Sequence, residues 1–118
     1  MPEFNTIFYE KEDGSEPAKD FLLSLDYKMR AKVIRLLEML QKNGNALRLP
    51  YSEELEDGIF EIRAKVGSDI SRLLYFFDKG KIVILTNGLV KKTQKVPKQD
   101  LETAKKYRAD YLKRKEQL

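Results

Sequence analysis

The sequence predicts an α+β fold: a strand, two helices, a three- to four-stranded antiparallel sheet and a C-terminal helix. Two observations indicate it. Amphipathic segments with a helical period stand before and after residues 59–86. That block has the alternating or continuous apolar character of strands, joined by short glycine-containing turns. At 118 residues the chain has the usual length of one domain, so we expect a single domain over residues 1–118.

The N-terminal half supplies the first strand and two helices. Residues 5–9 predict a short strand, and residues 17–25 predict a short helix with proline in its first turn. Asp26 is a suitable N-cap for a second helix over residues 27–42, which the Asn-Gly-Asn segment 43–45 ends. The apolar side chains of this helix fall on one face: Met29, Val33, Leu36, Leu37 and Leu40.

An irregular segment through Pro50 follows, and Asp57 and Gly58 open the predicted strand section. Residues 59–66, 71–77 and 81–86 have strand character and are joined by hairpin-like turns. Gly88 marks either a hairpin turn or a bulge in a continuing strand. We favour the bulge because the two apolar residues after it are too few for a separate strand. Residues 98–113, which follow a proline, predict the last helix.

The sequence contains neither cysteine nor histidine. This excludes disulfides and thiolate metal sites, and it removes the commonest metal ligand and acid–base catalyst. No apolar run approaches the roughly 18 to 20 residues that span a bilayer, and the N-terminus has no signal-peptide pattern. We therefore expect a cytoplasmic protein with no cofactor, no metal site and no membrane contact.

Positive charge is concentrated in the last third of the chain. Residues 1–80 hold 12 Lys and Arg against 15 Asp and Glu, a net charge of −3, whereas residues 81–118 hold 11 against 4, a net charge of +7. This asymmetry favours an anionic partner, either nucleic acid or an acidic protein. A solvated, lysine-rich terminal helix is the alternative.

Strand parity divides the first long strand into two faces. Alternation predicts that Phe60, Ile62, Ala64 and Val66 face the core. It turns Ile59, Glu61, Arg63 and Lys65 to the other, outward face. Such a stripe suits a phosphate and an acid–base partner, although an ordinary solvated face with cross-strand ion pairs gives the same pattern.

Arg72 and a lysine-rich segment extend this set. As a functional residue, Arg72 would clamp a phosphate with its fork of donors; as a structural one, it would pair with Asp69 or Glu61. Lys91, Lys92 and Lys95 lie within five residues. They suit a polyanion or, through mutual repulsion, proton exchange by one lysine. A solvated charge run is again the alternative.

Cleavage of RNA is a reaction that such residues can support. The 2′-hydroxyl is the nucleophile, so the protein supplies a base, charge stabilisation at the phosphate and an acid for the leaving group. Without histidine, the base would be a carboxylate or a neutral lysine, and the acid a Lys, Tyr or Arg. Such a site should be slow alone and need a partner that aligns the substrate.

Three segments, 58–63, 71–75 and 89–97, together with the element order, resemble the HigB-like branch of the RelE/ParE toxin superfamily. The resemblance covers nearly the whole chain and is most specific in Leu-Val-Lys-Lys-Thr-Gln-Lys-Val-Pro, residues 89–97. It implies a microbial-RNase-like sheet and a type II toxin that cleaves messenger RNA in the ribosomal A site. It also implies neutralisation by a HigA-like helix-turn-helix antitoxin, in a complex that binds operator DNA.

By this resemblance, Arg63 and Arg72 match the family's sheet arginines, and Lys91 and Lys92 match its basic strand-end pair. Several relatives use a histidine near the last strand, and this chain has none, so the general base and acid stay open. The expected catalytic residues are Arg63, Arg72, Lys91, Lys92 and Glu61, and the expected RNA-binding residues are Lys65, Thr93 and Lys95.

Two other functions fit the same pattern. One is a ParE-like toxin that poisons DNA gyrase and has no nuclease activity, since one scaffold serves both. The other is a non-catalytic nucleic-acid-binding module that uses the basic C-terminal third.

Overall fold

The computed structural model describes residues 3–90 and 95–117. Within these ranges, no helix is long and apolar enough to cross a bilayer. The elements are β1 (Asn5–Phe8), α1 (Pro17–Ser24), α2 (Tyr27–Asn43), a 3-10 turn (Gly44–Ala46), β2 (Ser52–Glu56), β3 (Ile59–Val66), β4 (Asp69–Asp78), β5 (Ile82–Val90) and α3 (Lys98–Glu116).

The strands form one five-stranded sheet in the order β1-β5-β4-β3-β2. Neighbouring strands are antiparallel except that β1 runs parallel to β5. The α+β class, the antiparallel strands β2 to β5 and the C-terminal helix are confirmed, and β1 adds a fifth, parallel strand whose place in the sheet the sequence did not predict. Helices α1 and α2 stand between β1 and the other strands in the sequence, so no hairpin connection sets the direction of β1.

The β2 edge strand lies between the irregular segment and the predicted strand section, where the sequence predicted no strand. Its residues, Ser-Glu-Glu-Leu-Glu, include one apolar side chain, and three of the five are exposed. An edge strand with one partner needs little apolar alternation, because its backbone bonds to β3 alone. The hydrophobic signal used to predict strands was therefore missing here.

Helices cover both faces of the sheet. The first core lies between the sheet and α1 and α2, and it includes the predicted inward residues Ile62 and Ala64. The second core lies under α3, where Leu101 and Ala104 pack against the strands. The expectation that the Ile59 face is outward was wrong: Ile59 is 0% exposed because α3 covers this side.

The local signals for α2 are confirmed. The Asp26 carboxylate accepts a hydrogen bond from the Met29 N–H at 2.9 Å, which satisfies one of the open donors of the first turn. Gly44 ends the helix with φ of 53°, a conformation that glycine adopts without strain.

The strand β5 continues through Asn87 and Gly88, so the favoured alternative of a continuing strand is confirmed. The irregularity lies slightly earlier than expected. Leu74 pairs with Asn87 and Tyr75 pairs with Leu85, which leaves Thr86 as the extra residue. The Thr86 hydroxyl donates to the Leu74 carbonyl at 3.2 Å.

Gly88 is needed for the contact between α1 and β5. A Cβ at this position would lie 2.2 Å from Cδ2 of the Phe21 ring. We expect Gly88→Ala to lower the free energy of unfolding by about 1–3 kcal/mol, because the ring must shift within a packed core. Urea denaturation measures the change. Combining it with Phe21→Leu should recover part of the loss, whereas a Gly88→Ala protein of unchanged stability would contradict the packing argument.

Candidate functional site

Four charged side chains meet on the α3 side of the sheet, and we call them the Glu61 cluster: Glu53, Glu61, Arg63 and Arg72. Register brings them together. The two-residue turn between β3 and β4 sets Arg63 directly opposite Arg72, and Glu53 lies opposite Glu61. Opposite residues of a sheet share a face, so all four point the same way.

Glu61 is the centre of the cluster. Its Oε1 accepts from Arg63 Nε at 3.1 Å and from Arg63 Nη2 at 3.0 Å. Arg72 Nη1 donates to both Glu61 oxygens, at 3.1 and 3.0 Å. Of the two structural partners expected for Arg72, the structure therefore selects Glu61 over Asp69.

Burial gives the members different roles. Glu61 is 1% exposed and Arg72 is 2% exposed, whereas the Arg63 side chain is 30% exposed. A buried carboxylate and guanidinium are tolerated only when they are paired and hydrogen-bonded. The expectation of an outward Glu61 was thus wrong, because α3 covers this part of the face. Arg63 is the arginine of the cluster that reaches solvent.

The other predicted residues surround this cluster unevenly. Lys65 is exposed two residues beyond Arg63 on the same side of β3, and Lys95 is exposed just before α3. Lys91, Lys92 and Thr93 lie outside the described residues. The structure therefore brings Glu61, Arg63 and Arg72 together, and the roles of all eight residues stay predictions.

Glu53 was missed by the sequence analysis. Its Oε2 lies 3.6 Å from Arg63 Nη2, and its side chain is 46% exposed. The signal was weak because Glu53 belongs to the edge strand that the apolar pattern did not predict. Beside it, a groove of about 700 Å³ runs between β2 and the start of α3. Its lining combines apolar and charged residues: Glu53, Glu54, Leu55, Glu56, Lys95, Val96, Lys98 and Leu101.

Ion pairs hold α3 over this face of the sheet. In its first two thirds, Lys105 binds Glu56 at 2.5 Å, and Arg108 binds the Asp57 carboxylate at 2.8 Å. Both acidic partners lie at the end of β2 and in the turn that follows. These pairs fix α3 against the end of the edge strand that carries Glu53.

At the other end of α3, Tyr111 and Lys115 bind one carboxylate. The Tyr111 hydroxyl donates to Asp78 Oδ2 at 2.7 Å, and Lys115 Nζ donates to the same atom at 2.8 Å. Burial, with the hydrogen bond to Asp78, raises the pKa of Tyr111 to about 12. Burial would raise the pKa of Asp78, but hydrogen bonds from Lys115 and Tyr111 outweigh it and lower that pKa below its ordinary value. A neutral tyrosine and an ionised aspartate therefore anchor the helix.

Tyr75, the most buried tyrosine of the sheet, lies away from the cluster. It packs in the core beneath α1 and α2 and shares a 2.5 Å hydrogen bond with Ser52. Burial raises the pKa of Tyr75 to about 12. Its position on the opposite face from Arg63 removes it as an acid for a reaction at the cluster.

The arrangement suits an anionic ligand at Arg63. A guanidinium offers several donors in a fixed plane, and Glu61 fixes that plane from the buried side. Within residues 3–90 and 95–117, no group of three or more acidic, His or Cys side chains forms a metal site. The expectation that the protein uses no metal stays a prediction.

Comparison with known proteins identifies the family. The sequence matches no curated protein. Residues 20–109, which are 90 of the 118, match the family described as phage derived protein Gp49-like (DUF891). The matched range includes α2, all of β2 to β5 and the first half of α3, and therefore the whole Glu61 cluster. The chain belongs to this Gp49-like family, whose members are toxin–antitoxin toxins of the RelE/HigB type.

Proposed function

We propose that this toxin is a ribosome-dependent endoribonuclease that cleaves messenger RNA in the A site and so arrests translation. The observation that carries the proposal is the half-exposed Arg63 guanidinium, held in place by buried Glu61 beside Arg72. A preorganised cation at a sheet surface suits a phosphate whose charge grows during the reaction. Membership of the RelE/HigB-type toxins supports the same reaction.

The reaction needs no external nucleophile. A base removes the proton of the 2′-hydroxyl, the 2′-oxygen bonds to phosphorus, and the bond from phosphorus to the 5′-oxygen breaks. An acid returns a proton to that 5′-oxygen. The products are a 2′,3′-cyclic phosphate and a 5′-hydroxyl, and no metal enters the balance.

The residues of the Glu61 cluster have two kinds of role, contact with the RNA and positioning of the residue that makes it. We assign Arg63 to the phosphate. Arg72 and Glu61 are buried, so we assign them to positioning Arg63. Glu53, an exposed carboxylate 3.6 Å from Arg63, is our candidate base. This choice follows because both oxygens of Glu61 already accept hydrogen bonds inside the protein.

The resemblance to HigB-like toxins supplies the remaining assignments. We propose Lys91 and Lys92 for leaving-group protonation and charge stabilisation. Lys65, Thr93 and Lys95 would hold the RNA backbone. Because this set lacks histidine, we expect slow cleavage of free RNA and rapid cleavage once the ribosome aligns the 2′-hydroxyl with the phosphate. The proposed site of action is therefore the cytoplasm.

Purified toxin tests the proposal with one message in two states, free and within a translating ribosome. We expect cuts inside codons with the ribosome, little cleavage without it, and 2′,3′-cyclic phosphate at the new 3′ ends. Equal cleavage of free RNA would contradict ribosome dependence. Intact messages together with inhibited DNA supercoiling would support the gyrase-poisoning alternative. Intact messages with salt-sensitive RNA binding would support the non-catalytic module.

Partners follow from the family. A toxin of this kind has an antitoxin as its partner. We propose that this antitoxin is a HigA-like helix-turn-helix protein and that the complex binds operator DNA. Co-purification of the two proteins, followed by a shift assay on the DNA upstream of their genes, tests both statements.

A further inference from the structure

The helix α2 has a second apolar stripe that nothing in the chain covers among the described residues. Tyr27, Ala31 and Ile34 are exposed, at 75% for Tyr27 and 43% for Ile34. At about 100° per residue, they lie within roughly 60° of one another around the helix axis. The stripe lies roughly 150° from the core-facing side chains of the same helix. It is therefore a surface feature, separate from the packing that holds α2 on the sheet.

The end of α1 extends this stripe. Leu23 is 56% exposed. Arg30 of α2 donates to the Leu23 carbonyl at 3.0 Å and to the Leu25 carbonyl at 2.8 Å, which fixes the end of α1 beside the first turns of α2. The exposed Leu23 therefore lies near this end of α2, and we group it with Tyr27, Ala31 and Ile34 as the α1–α2 patch. Several large apolar side chains exposed together are typical of an interaction site.

Cations line one flank of the patch. By the same helical geometry, the exposed Lys28, Lys32, Arg35 and Lys42 fall on one side of the stripe. Helix α2 carries five Lys and Arg against one carboxylate, Glu38, which by the same geometry ends the stripe one turn beyond Ile34. Among the residues that the structure describes, none of the four flanking cations has a carboxylate within ion-pair distance.

We propose that the α1–α2 patch is the docking surface for an acidic amphipathic helix of the antitoxin. Such a helix would place apolar side chains on Leu23, Tyr27 and Ile34, and its carboxylates along the flanking cations. Ala31, the smallest member of the patch, lets the two helices approach closely. A second copy of this chain is a poor occupant, because the cations of the two patches would face and repel each other. RNA is also a poor occupant, because Leu23 and Ile34 offer its phosphates neither a charge nor a hydrogen bond.

The position of the patch separates neutralisation from chemistry. Helices α1 and α2 cover the sheet face that carries Ile62 and Ala64, whereas Arg63 faces α3. An antitoxin helix on the patch therefore does not contact Arg63. The proposed docking rests on the chain being a toxin with an antitoxin partner. It does not depend on which reaction the toxin performs.

Charge reversal tests the proposal through growth and through binding. We expect Lys32→Glu with Arg35→Glu to keep growth arrest while co-expressed cognate antitoxin no longer restores growth. Calorimetric titration of the purified proteins should show antitoxin affinity reduced roughly 100-fold or more, because like charges then face each other. The matched control is Lys79→Glu with Lys106→Glu, which makes the same charge change at exposed positions away from the patch. It should bind as the wild type does.

Tyr27→Ala provides an uncharged second variant at a position that is 75% exposed, so we expect it to fold as the wild type does. We expect its antitoxin affinity to fall about tenfold or more, as for a central aromatic contact. Wild-type affinity in both patch variants would overturn the proposal. So would a charge-reversed toxin that still binds antitoxin but no longer arrests growth, because that result would make the patch a contact for ribosomal RNA. Failure of RNA cleavage alone would overturn the proposed reaction and leave the patch intact.

Discussion

Arg72→Ala is expected to lower the free energy of unfolding by about 3 kcal/mol. The substitution leaves Glu61, which is 1% exposed, without the guanidinium that binds both of its oxygens. Arg63 still donates to Oε1, so we expect the lower end of the range for a broken buried pair. Urea denaturation of the purified variant measures the effect. Since domains are stable by only about 5–15 kcal/mol, the variant should also accumulate less in cells.

A double variant separates the stability of the pair from its role in the site. Arg72→Met with Glu61→Leu removes both buried charges together, and we expect most of the lost stability to return. RNA cleavage should stay low, because Arg63 then lacks the carboxylate that orients it. If Arg72→Ala instead has wild-type stability and no activity, Arg72 contacts the RNA directly and our positioning assignment is wrong.

Local signals in the sequence predicted local structure well. Asp26 and Gly44 bound α2 as expected, because capping depends on a few neighbouring backbone groups. The bounds of β3 agree with the predicted 59–66, because a glycine-containing turn adjoins each end. Such features are readable because the residues that cause them are adjacent in the chain.

Burial of the Glu61 cluster could not be predicted in the same way. Alternation shows which side chains of β3 share a face, but it does not show what covers that face. The cover is α3, held by Lys105 and Arg108 against β2 and the turn after it, about fifty residues earlier. A solvated face and a covered, ion-paired face have the same alternating sequence. The contact of Arg63 with Glu53 was equally hidden, since it needed the edge strand β2.

Arg63→Ala is expected to reduce messenger-RNA cleavage on the ribosome by about 100-fold or more, the usual effect of losing a preorganised donor to a reacting phosphate. Stability should change little, within about 1 kcal/mol, because the Arg63 side chain is 30% exposed and its pairs are partly screened by water. Single-turnover cleavage of a ribosome-bound message measures the rate. Lys79→Ala, an exposed cation in the turn after β4, is the control and should cleave normally.

Arg63→Lys distinguishes charge from geometry. Lysine keeps the positive charge but lacks the planar fork that binds Glu61 on one side and a phosphate on the other. We therefore expect roughly tenfold loss, between wild type and alanine. Full activity in the lysine variant would mean that charge alone suffices, and Glu61 would then have only a structural role. Full activity in the alanine variant would show that Arg63 takes no part in the reaction. The pairing of its half-exposed guanidinium with the buried Glu61 carboxylate would then have no catalytic role.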